Sequence, residues 1–433
     1  MNFSSTEPSW SSYMVQVYSA GAPPHNASFN MDTIAEKARE VTKDNHAAFM
    51  YTFGSAGLSS TDHANRKALA IWRIIPRMLR DASVRNLETT IFGKKLRCPV
   101  FVAPVGVQGI LHPDGELATA RAAAKVGVPF IMSTASTRTI ENVGQANGDG
   151  HRWYQLYWPH NNEITLSILS RVKKAGFSAL VVTLDTMLLG WRPHDLDTAY
   201  LPFHAGVGIS VGTSDPVFMR TQDKEARTDD DSPFPFDAAG HRAKLAAGDA
   251  AAAEATELGK AWLKETNSGI FKTWADVRFL REHWDGPLVL KGIQCVEDAH
   301  RAIDAGVDGI VVSNHGGRQV DGAIPSFVAL EHVTADGRVK EAQKAGTFTV
   351  LFDSGIRTGS DVIKALAMGA QGVLVARPFM YGLAISGEKG VEEVLRGLLA
   401  DTEITLGLSG YKTVDEIQGK REEIIMKMDA GFE

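Results

Sequence analysis

The sequence runs to 433 residues, of which 44% are hydrophobic and 22% charged, with a formal net charge of −6. That balance belongs to a folded globular chain rather than a disordered one, and with no basic excess to neutralise phosphates it excludes nucleic acid as a main partner. Two cysteines rule out a disulfide framework and suit a reducing compartment, while the length leaves open two or three domains or one α/β barrel with extensions.

From the amino terminus there is no Lys or Arg before Lys37 and no apolar run behind a basic patch, so neither a secretory signal nor an Arg-rich transit peptide is expected. The carboxyl-terminal Ala430-Gly431-Phe432-Glu433 is not a peroxisomal Ser-Lys-Leu. No apolar stretch approaches the ~20 residues of a membrane span. The expectation is a cytoplasmic protein without a membrane partner.

Short apolar runs rich in strand formers recur at 100–103, 129–133, 153–156, 179–183, 288–291, 309–313, 349–353 and 372–375. They are apolar on both faces, as buried parallel strands are. Helical patterns fall between them at 116–125, 163–174, 296–305 and 360–368. Several close on basic or small residues and a glycine, as in Ala124-Lys125-Val126-Gly127 and Lys173-Lys174-Ala175-Gly176. Eight evenly spaced βα units predict a (β/α)8 TIM barrel; a doubly wound open sheet is the alternative. One gap of roughly 100 residues separates the fourth and fifth runs, a length that marks an active-site lid or a linker. It opens at Trp191-Arg192-Pro193-His194, contains Thr228-Asp229-Asp230-Asp231-Ser232-Pro233 and has an Ala-rich helical segment near 243–255. A lid over 193–271 is expected, with an amino-terminal extension over 1–95 and carboxyl-terminal helices over 383–433. Gly206 and Gly208 do not complete a dinucleotide-binding GxGxxG.

In a barrel, chemistry gathers at the carboxyl ends of the strands. Those ends read Gln155-Leu156-Tyr157, Thr183-Leu184-Asp185, Lys291, Ser313-Asn314-His315-Gly316-Gly317-Arg318, Asp353-Ser354-Gly355-Ile356-Arg357 and Ala376-Arg377-Pro378. A lone His or Lys at such a place is more often structural than catalytic; six polar ends in succession point to one rim. His315, between Asn and two glycines, is the candidate base, and Asp185 the carboxylate that orients it. Arg192 and Arg318 offer guanidinium forks for a carboxylate. Lys291 adds a fixed positive charge. Gly355, Arg357 and Arg377 fit the phosphate site that barrels place after strands seven and eight. No metal set is visible, with neither HExxH nor CxxC, and Cys98 and Cys295 fall at opposite ends of the barrel. The residues alone also allow a flavin-free phosphate-binding barrel, such as an isomerase or aldolase.

The run Ser313-Asn314-His315-Gly316-Gly317-Arg318-Gln319-Val320-Asp321 closely resembles the signature of the FMN-dependent α-hydroxy-acid oxidising family. Gln155-Leu156-Tyr157, Thr183-Leu184-Asp185-Thr186, Lys291-Gly292-Ile293 and Asp353-Ser354-Gly355-Ile356-Arg357 follow in the family order. The resemblance covers about 48 to 417, lid excepted. It implies FMN as cofactor and oxidation of an (S)-2-hydroxy acid to a 2-keto acid, with O2 as co-substrate and a homotetramer or homo-octamer as the assembly. His315 would be the base, Asp185 its partner, and Arg192, Arg318, Tyr51 and Tyr157 the substrate contacts. Ser133, Gln155 and Thr183 would meet the flavin ring, Lys291 its N1 side, and Asp353 the ribityl hydroxyls. Gly355, Arg357 and Arg377 would hold the phosphate, and the backbone of Pro104, Val105 and Gly106 would pass beside flavin N5.

Ser354 and Ala376, also in the cofactor loops, stand where many relatives have glycine, so a slightly shifted backbone is expected there. Within the family the resemblance is nearest to lactate 2-monooxygenase, through Gly106, the segment Tyr18-Ser19-Ala20-Gly21-Ala22-Pro23-Pro24 and the long lid. The missing methyl at Gly106 implies altered space beside N5, and Ala135, Val107 and Leu189 an apolar pocket wall. A peroxide-releasing oxidase and a quinone-linked dehydrogenase are the alternatives.

Overall fold

All eight apolar runs form parallel strands: β1 Val100–Val102, β2 Phe130–Ser133, β3 Arg152–Leu156, β4 Leu180–Thr183, β5 Leu288–Ile293, β6 Gly309–Val312, β7 Thr349–Phe352 and β8 Gly372–Val375. The structure is a computed structural model describing residues 9–228 and 233–428. The acidic run at 229–232 and the terminal 430–433 tetrapeptide lie outside the described residues. The strands close into a barrel, with β8 paired to β1 and β6 to β7, so the open-sheet alternative falls. The helices that follow the strands are α1 Glu116–Val126, α2 Ile140–Asn147, α3 Asn162–Lys174, α4 Trp274–His283, α5 Val296–Asp304, α6 Ser326–Ala335, α7 Gly359–Met368 and α8 Arg377–Leu408.

Strand periodicity explains the two-faced burial. Phe101, Ile131, Trp153, Val181, Val289, Val311, Leu351 and Leu374, one from each strand, form a single apolar layer inside the barrel. Their neighbours in sequence, such as Val102, Met132, Tyr154 and Val182, point outward into the separate core beneath the helices. A hairpin of Thr89–Ile91 and Lys94–Leu96 adds Ile91 and Leu96 to the inner layer. Trp153 ties this plug together, its ring 4.7 Å from Phe101 and 5.5 Å from Phe92. Truncating so buried an aromatic costs about 3–5 kcal/mol.

The amino-terminal segment lays helices His46–Phe53 and Ser60–Ala70 against the carboxyl end of the barrel. It returns at Trp72–Ile74 to pair antiparallel with Ile425–Lys427. The carboxyl-terminal region differs from expectation. Its helix begins at Arg377, six residues before 383, breaks at Ser386 and Gly387, and ends at Leu408. Beyond it the described chain holds only the single-turn helices Val414–Glu416 and Arg421–Ile424 and the Ile425–Lys427 strand.

The long connection after β4 forms helices over its described residues. It folds as Pro193–Asp197, Ser210–Thr213, Pro216–Arg220, Ala238–Ala246 and Ala250–Thr266. Its side chains Phe203, Phe218, Phe236 and Trp262 are buried. Asp215 is fully buried and accepts from Ser167 (2.7 Å) and Arg171 (3.2 Å) of α3, which pins the insertion to the barrel. Helices of four or five residues, each opened by a proline or a small residue, carry no readable period. Among the described residues no helix is long and apolar enough to cross a membrane. Nor do three or more His, Cys, Asp or Glu side chains gather there to hold a metal.

Candidate active site

The site begins one pleat above the apolar layer. Two residues beyond Ile131, Trp153, Val181, Val289, Val311, Leu351 and Leu374 come Ser133, Gln155, Thr183, Lys291, Ser313, Asp353 and Ala376. At every one of these strands but the last, where Ala376 stands, the same inward face thus changes from apolar to polar in one step. This second layer floors a cleft at the carboxyl end of the barrel. Pro104, Val105, Gly106, Tyr51, Tyr157, Lys291, Arg192, His315, Arg318, Asp353, Ser354, Gly355, Arg357, Ala376 and Arg377 line it. Ser133, Gln155 and Thr183 are buried within that floor, and Asp185, partly buried, stands behind His315.

His315 follows β6 in a left-handed conformation (φ 58°), as do Gly316 (64°) and Gly317 (75°). A side chain at Gly317 would put its Cβ 2.6 Å from the Asp62 amide nitrogen, so this turn and helix Ser60–Ala70 approach only because glycine is there. Asn314 anchors the turn by a reciprocal amide pair with Asn65, at 2.7 and 2.9 Å. The His315 Nδ1 lies 2.9 Å from Asp185 Oδ1, which also accepts from Thr186 Oγ1 at 2.9 Å. A carboxylate can only accept, so Nδ1 carries the proton and a neutral ring presents a bare Nε2. Burial lowers the His315 pKa and Lys291 adds to this, while Asp185 opposes it. Burial pushes the Asp185 carboxyl up, but His315, Lys291 and the hydrogen bonds it accepts hold it well below the usual carboxylate range. Asp185 Oδ2 is buried and has no hydrogen-bond partner among the described residues.

Arg318 spends three of its N–H groups on backbone carbonyls: Nη1 donates to Thr52 (3.1 Å) and Gly54 (2.7 Å), and Nη2 to Tyr51 (2.7 Å). Its Nε–H and the second Nη2–H have no partner among the described residues, which leaves two donors to grip a carboxylate. Arg192 packs beside it, donating from Nε to the Arg318 carbonyl (2.9 Å) and from Nη2 to Gln319 Oε1 (2.8 Å). Burial, with Arg192 and Arg377 nearby, lowers the Arg318 pKa to about 9. An anion entering the cleft would relieve this crowding of positive charge. Burial also raises the phenols of Tyr51 and Tyr157, so both stay protonated donors.

The cofactor side continues along the same strand ends. Gln155 Oε1 accepts from Ser133 Oγ (3.0 Å) and Thr134 N–H (3.2 Å), which fixes the amide. Its Nε2 is buried without a partner among the described residues, a donor that a ring carbonyl of a flavin would satisfy. Lys291 stays protonated: burial lowers its pKa, but Asp353 and Asp185 raise it by more. The loop after β7 is shaped by Asp361 of α7, which accepts from the amides of Arg357 (3.0 Å) and Thr358 (3.2 Å). Ser354 takes the conformation of a glycine (φ 82°) and Gly355 follows at 107°. Among the described residues the Arg357 side chain makes one hydrogen bond, to the Ile356 carbonyl, and keeps donors for an anion. Arg377 does not. Its Nε–H donates to Phe53, its two Nη1–H to Asp62 and Gly316, and its two Nη2–H to Gly54 and Ser55. With every donor engaged, Arg377 offers charge to the cleft but no free hydrogen bond for a phosphate.

In the altered space expected beside Gly106, Ala135 occupies the position that a methyl there would take. A Cβ there would meet the Ala135 Cβ and carbonyl oxygen, each at 2.6 Å, and the Val107 amide donates to that carbonyl at 2.7 Å. The missing methyl is taken up by this contact between the loops after β1 and β2. Val107, Ala135 and Leu189 do line the cleft. Sequence reading missed Thr186, Phe203, Trp262, Thr266 and Asn267, which line it as well. Thr186 stands next to Asp185 and closes the Thr183-Leu184-Asp185-Thr186 run. The others come from the insertion, where no period marks them; Trp262 and Thr266 share a helix face at i, i+4, and Asn267 donates from Nδ2 to the Thr186 carbonyl at 2.8 Å.

The profile of the FMN-dependent dehydrogenase family matches residues 38–424. The FMN-dependent alpha-hydroxy acid dehydrogenase qulF of Penicillium citrinum is 45% identical, over 93% of this chain and 93% of that protein. An L-lactate oxidase of Lysinibacillus sphaericus is 36% identical, over 88% and 89%. Among solved structures, mandelate oxidase with (S)-4-hydroxymandelic acid superposes with a TM-score of 0.73 at 35% identity, covering 93% of this chain and 99% of that one.

Proposed function

The chain belongs to the FMN-dependent α-hydroxy-acid dehydrogenase family, an FMN flavoprotein oxidising 2-hydroxy acids, and on that premise we propose that it acts on L-lactate in a lactate 2-monooxygenase-like reaction. One arrangement carries the reading: a His315–Asp185 pair facing a cleft in which Arg318 keeps two unengaged N–H donors. Arg318 and Arg192 bind the substrate carboxylate, and Tyr51 and Tyr157 bound the same space. His315 Nε2 takes up the proton released as the hydroxy acid becomes the keto acid. The Asp185 carboxylate, held ionised, stabilises the imidazolium that results. FMN, when bound, supplies the two-electron acceptor. Gln155, Ser133, Thr183 and Lys291 would lie against its ring, with Pro104, Val105 and Gly106 beside it. Asp353, Ser354, Gly355, Arg357, Ala376 and Arg377 would surround the ribityl phosphate, with Arg357 the side-chain donor and Arg377 contributing charge.

The overall reaction is lactate plus O2 to acetate, carbon dioxide and water, which requires keto acid and peroxide to stay together until they react. The insertion supports that reading as a lid, because Phe203, Trp262, Thr266 and Asn267 wall the cleft from above. A second reading is an oxidase releasing pyruvate and hydrogen peroxide. It is favoured by the Gly106–Ala135 contact, which removes one reason for expecting altered space near the ring, and by the likeness to an L-lactate oxidase. With purified enzyme, L-lactate and no catalase, acetate with little free peroxide is expected; stoichiometric pyruvate and peroxide would replace the first reading by the second. We read the assembly as a homotetramer or homo-octamer and the location as cytoplasmic, which light scattering and fractionation test.

A further inference from the structure

We propose that Ser354 is a positioning residue whose hydroxyl closes a ring of polar contacts that fixes the left-handed His315–Gly316 turn. The ring joins the ends of β5, β6 and β7. Lys291 Nζ donates to Ser313 Oγ at 3.1 Å. The same oxygen accepts the His315 N–H at 3.1 Å. The next amide, Gly316 N–H, donates to Ser354 Oγ at 3.0 Å. Ser354 Oγ in turn donates to Asp353 Oδ1 at 2.8 Å, and Asp353 Oδ2 lies 3.5 Å from Lys291 Nζ. Two successive amides of the base-bearing turn are thus each held by a serine oxygen from the strand ends. The hydroxyl has one hydrogen, and Asp353 takes it, so its lone pairs are left for Gly316.

The backbone indicates that the hydroxyl itself matters. Ser354 sits at φ 82°, where glycine is at ease and a side chain is strained. A residue held there with both hydrogen-bonding capacities used is placed for its hydroxyl. Glycine would relieve the backbone and leave the Gly316 amide without its acceptor. The turn carries His315 as well as Gly316, so the loosened element is the one that holds the ring against Asp185. The inference rests on the reading of His315 as proton acceptor.

The test uses full-length, FMN-loaded enzyme and the variants Ser354→Gly and Ser354→Ala. Anaerobic flavin reduction is followed across pH with whichever of glycolate, L-lactate and (S)-mandelate reduces the wild type fastest, alongside FMN content and Tm. Both variants are expected to reduce about tenfold more slowly, the effect of losing about 1.4 kcal/mol. Their acid limb should move to higher pH, because a freed imidazole regains water and with it an ordinary histidine pKa. A Ser354→Gly enzyme with the wild-type rate and profile would overturn the proposal, as would a lowered Tm with an unmoved acid limb. If Ser354→Ala fails to bind FMN, Ser354→Gly decides, since glycine accepts the observed φ. A wild type reduced by none of the three acids, or lacking an acid limb, would instead remove the His315 reading and the proposal with it.

Discussion

The two walls of the cleft are built by opposite means. The wall from β5 to β7 is polar and closely hydrogen-bonded: Lys291, Ser313, His315, Asp353 and Ser354 fix one another, and Asp185 and Thr186 fix the imidazole. The facing wall is apolar and held by packing. Phe203 and Trp262 reach down from the insertion toward Val107 and Ala135, and the Trp262 ring is itself wedged 4.9 Å from Phe218. A polar network with defined directions keeps a proton acceptor in one tautomer and one place. An apolar wall selects shape and tolerates substitution. The difference assigns chemistry to the strand ends and substrate choice to the insertion.

The strongest way to break that division is at His315. His315→Ala should slow anaerobic flavin reduction by about 10²–10⁴-fold, with FMN still bound; a loss of less than tenfold would take the base out of the polar wall. The wild-type profile should agree. His315 is buried with its pKa below the ordinary 6.5, so the ring stays neutral at pH 6.5 and the rate should fall only as pH drops further through the lowered value. A half-maximal point at or above 6.5 would contradict the burial argument.

Next in size is Arg318. Replacing it by Met should raise the KM for the hydroxy acid about 10–100-fold, as expected for losing charge-assisted hydrogen bonds of about 1.5–3 kcal/mol. Arg318→Lys should recover only part of this, because an ammonium keeps the charge and loses the fork. Full recovery by Lys would mean that charge alone is read.

The polar wall was legible in the sequence; of the apolar side only Val107, Ala135 and Leu189 were, and the part contributed by the insertion was not. Strand period and strand-end chemistry are local: once 309–313 is a strand, the side on which Ser313 lies and the end at which His315 lies both follow. The same logic identified Lys291 and Asp353. It missed that every N–H of Arg377 is engaged by Phe53, Gly54, Ser55, Asp62 and Gly316, because those partners come from across the fold. It also missed Trp262. An Ala-rich stretch announces a helix, but which of its faces meets a cleft built by residues far off in sequence depends on short helices marked by little more than Pro193 and Pro216.

The most direct measurement of the division is Trp262→Ala, assayed by anaerobic flavin reduction with glycolate, L-lactate, 2-hydroxyoctanoate and (S)-mandelate. The account predicts that the enzyme keeps its FMN and reduces on its best acid within severalfold of the wild-type rate. The preference for the larger acids over L-lactate should rise about tenfold, the scale on which an apolar pocket discriminates by size. An unchanged order of acids with a collapsed rate on all of them would contradict it, and would place Trp262 with the chemistry instead of with the choice of substrate.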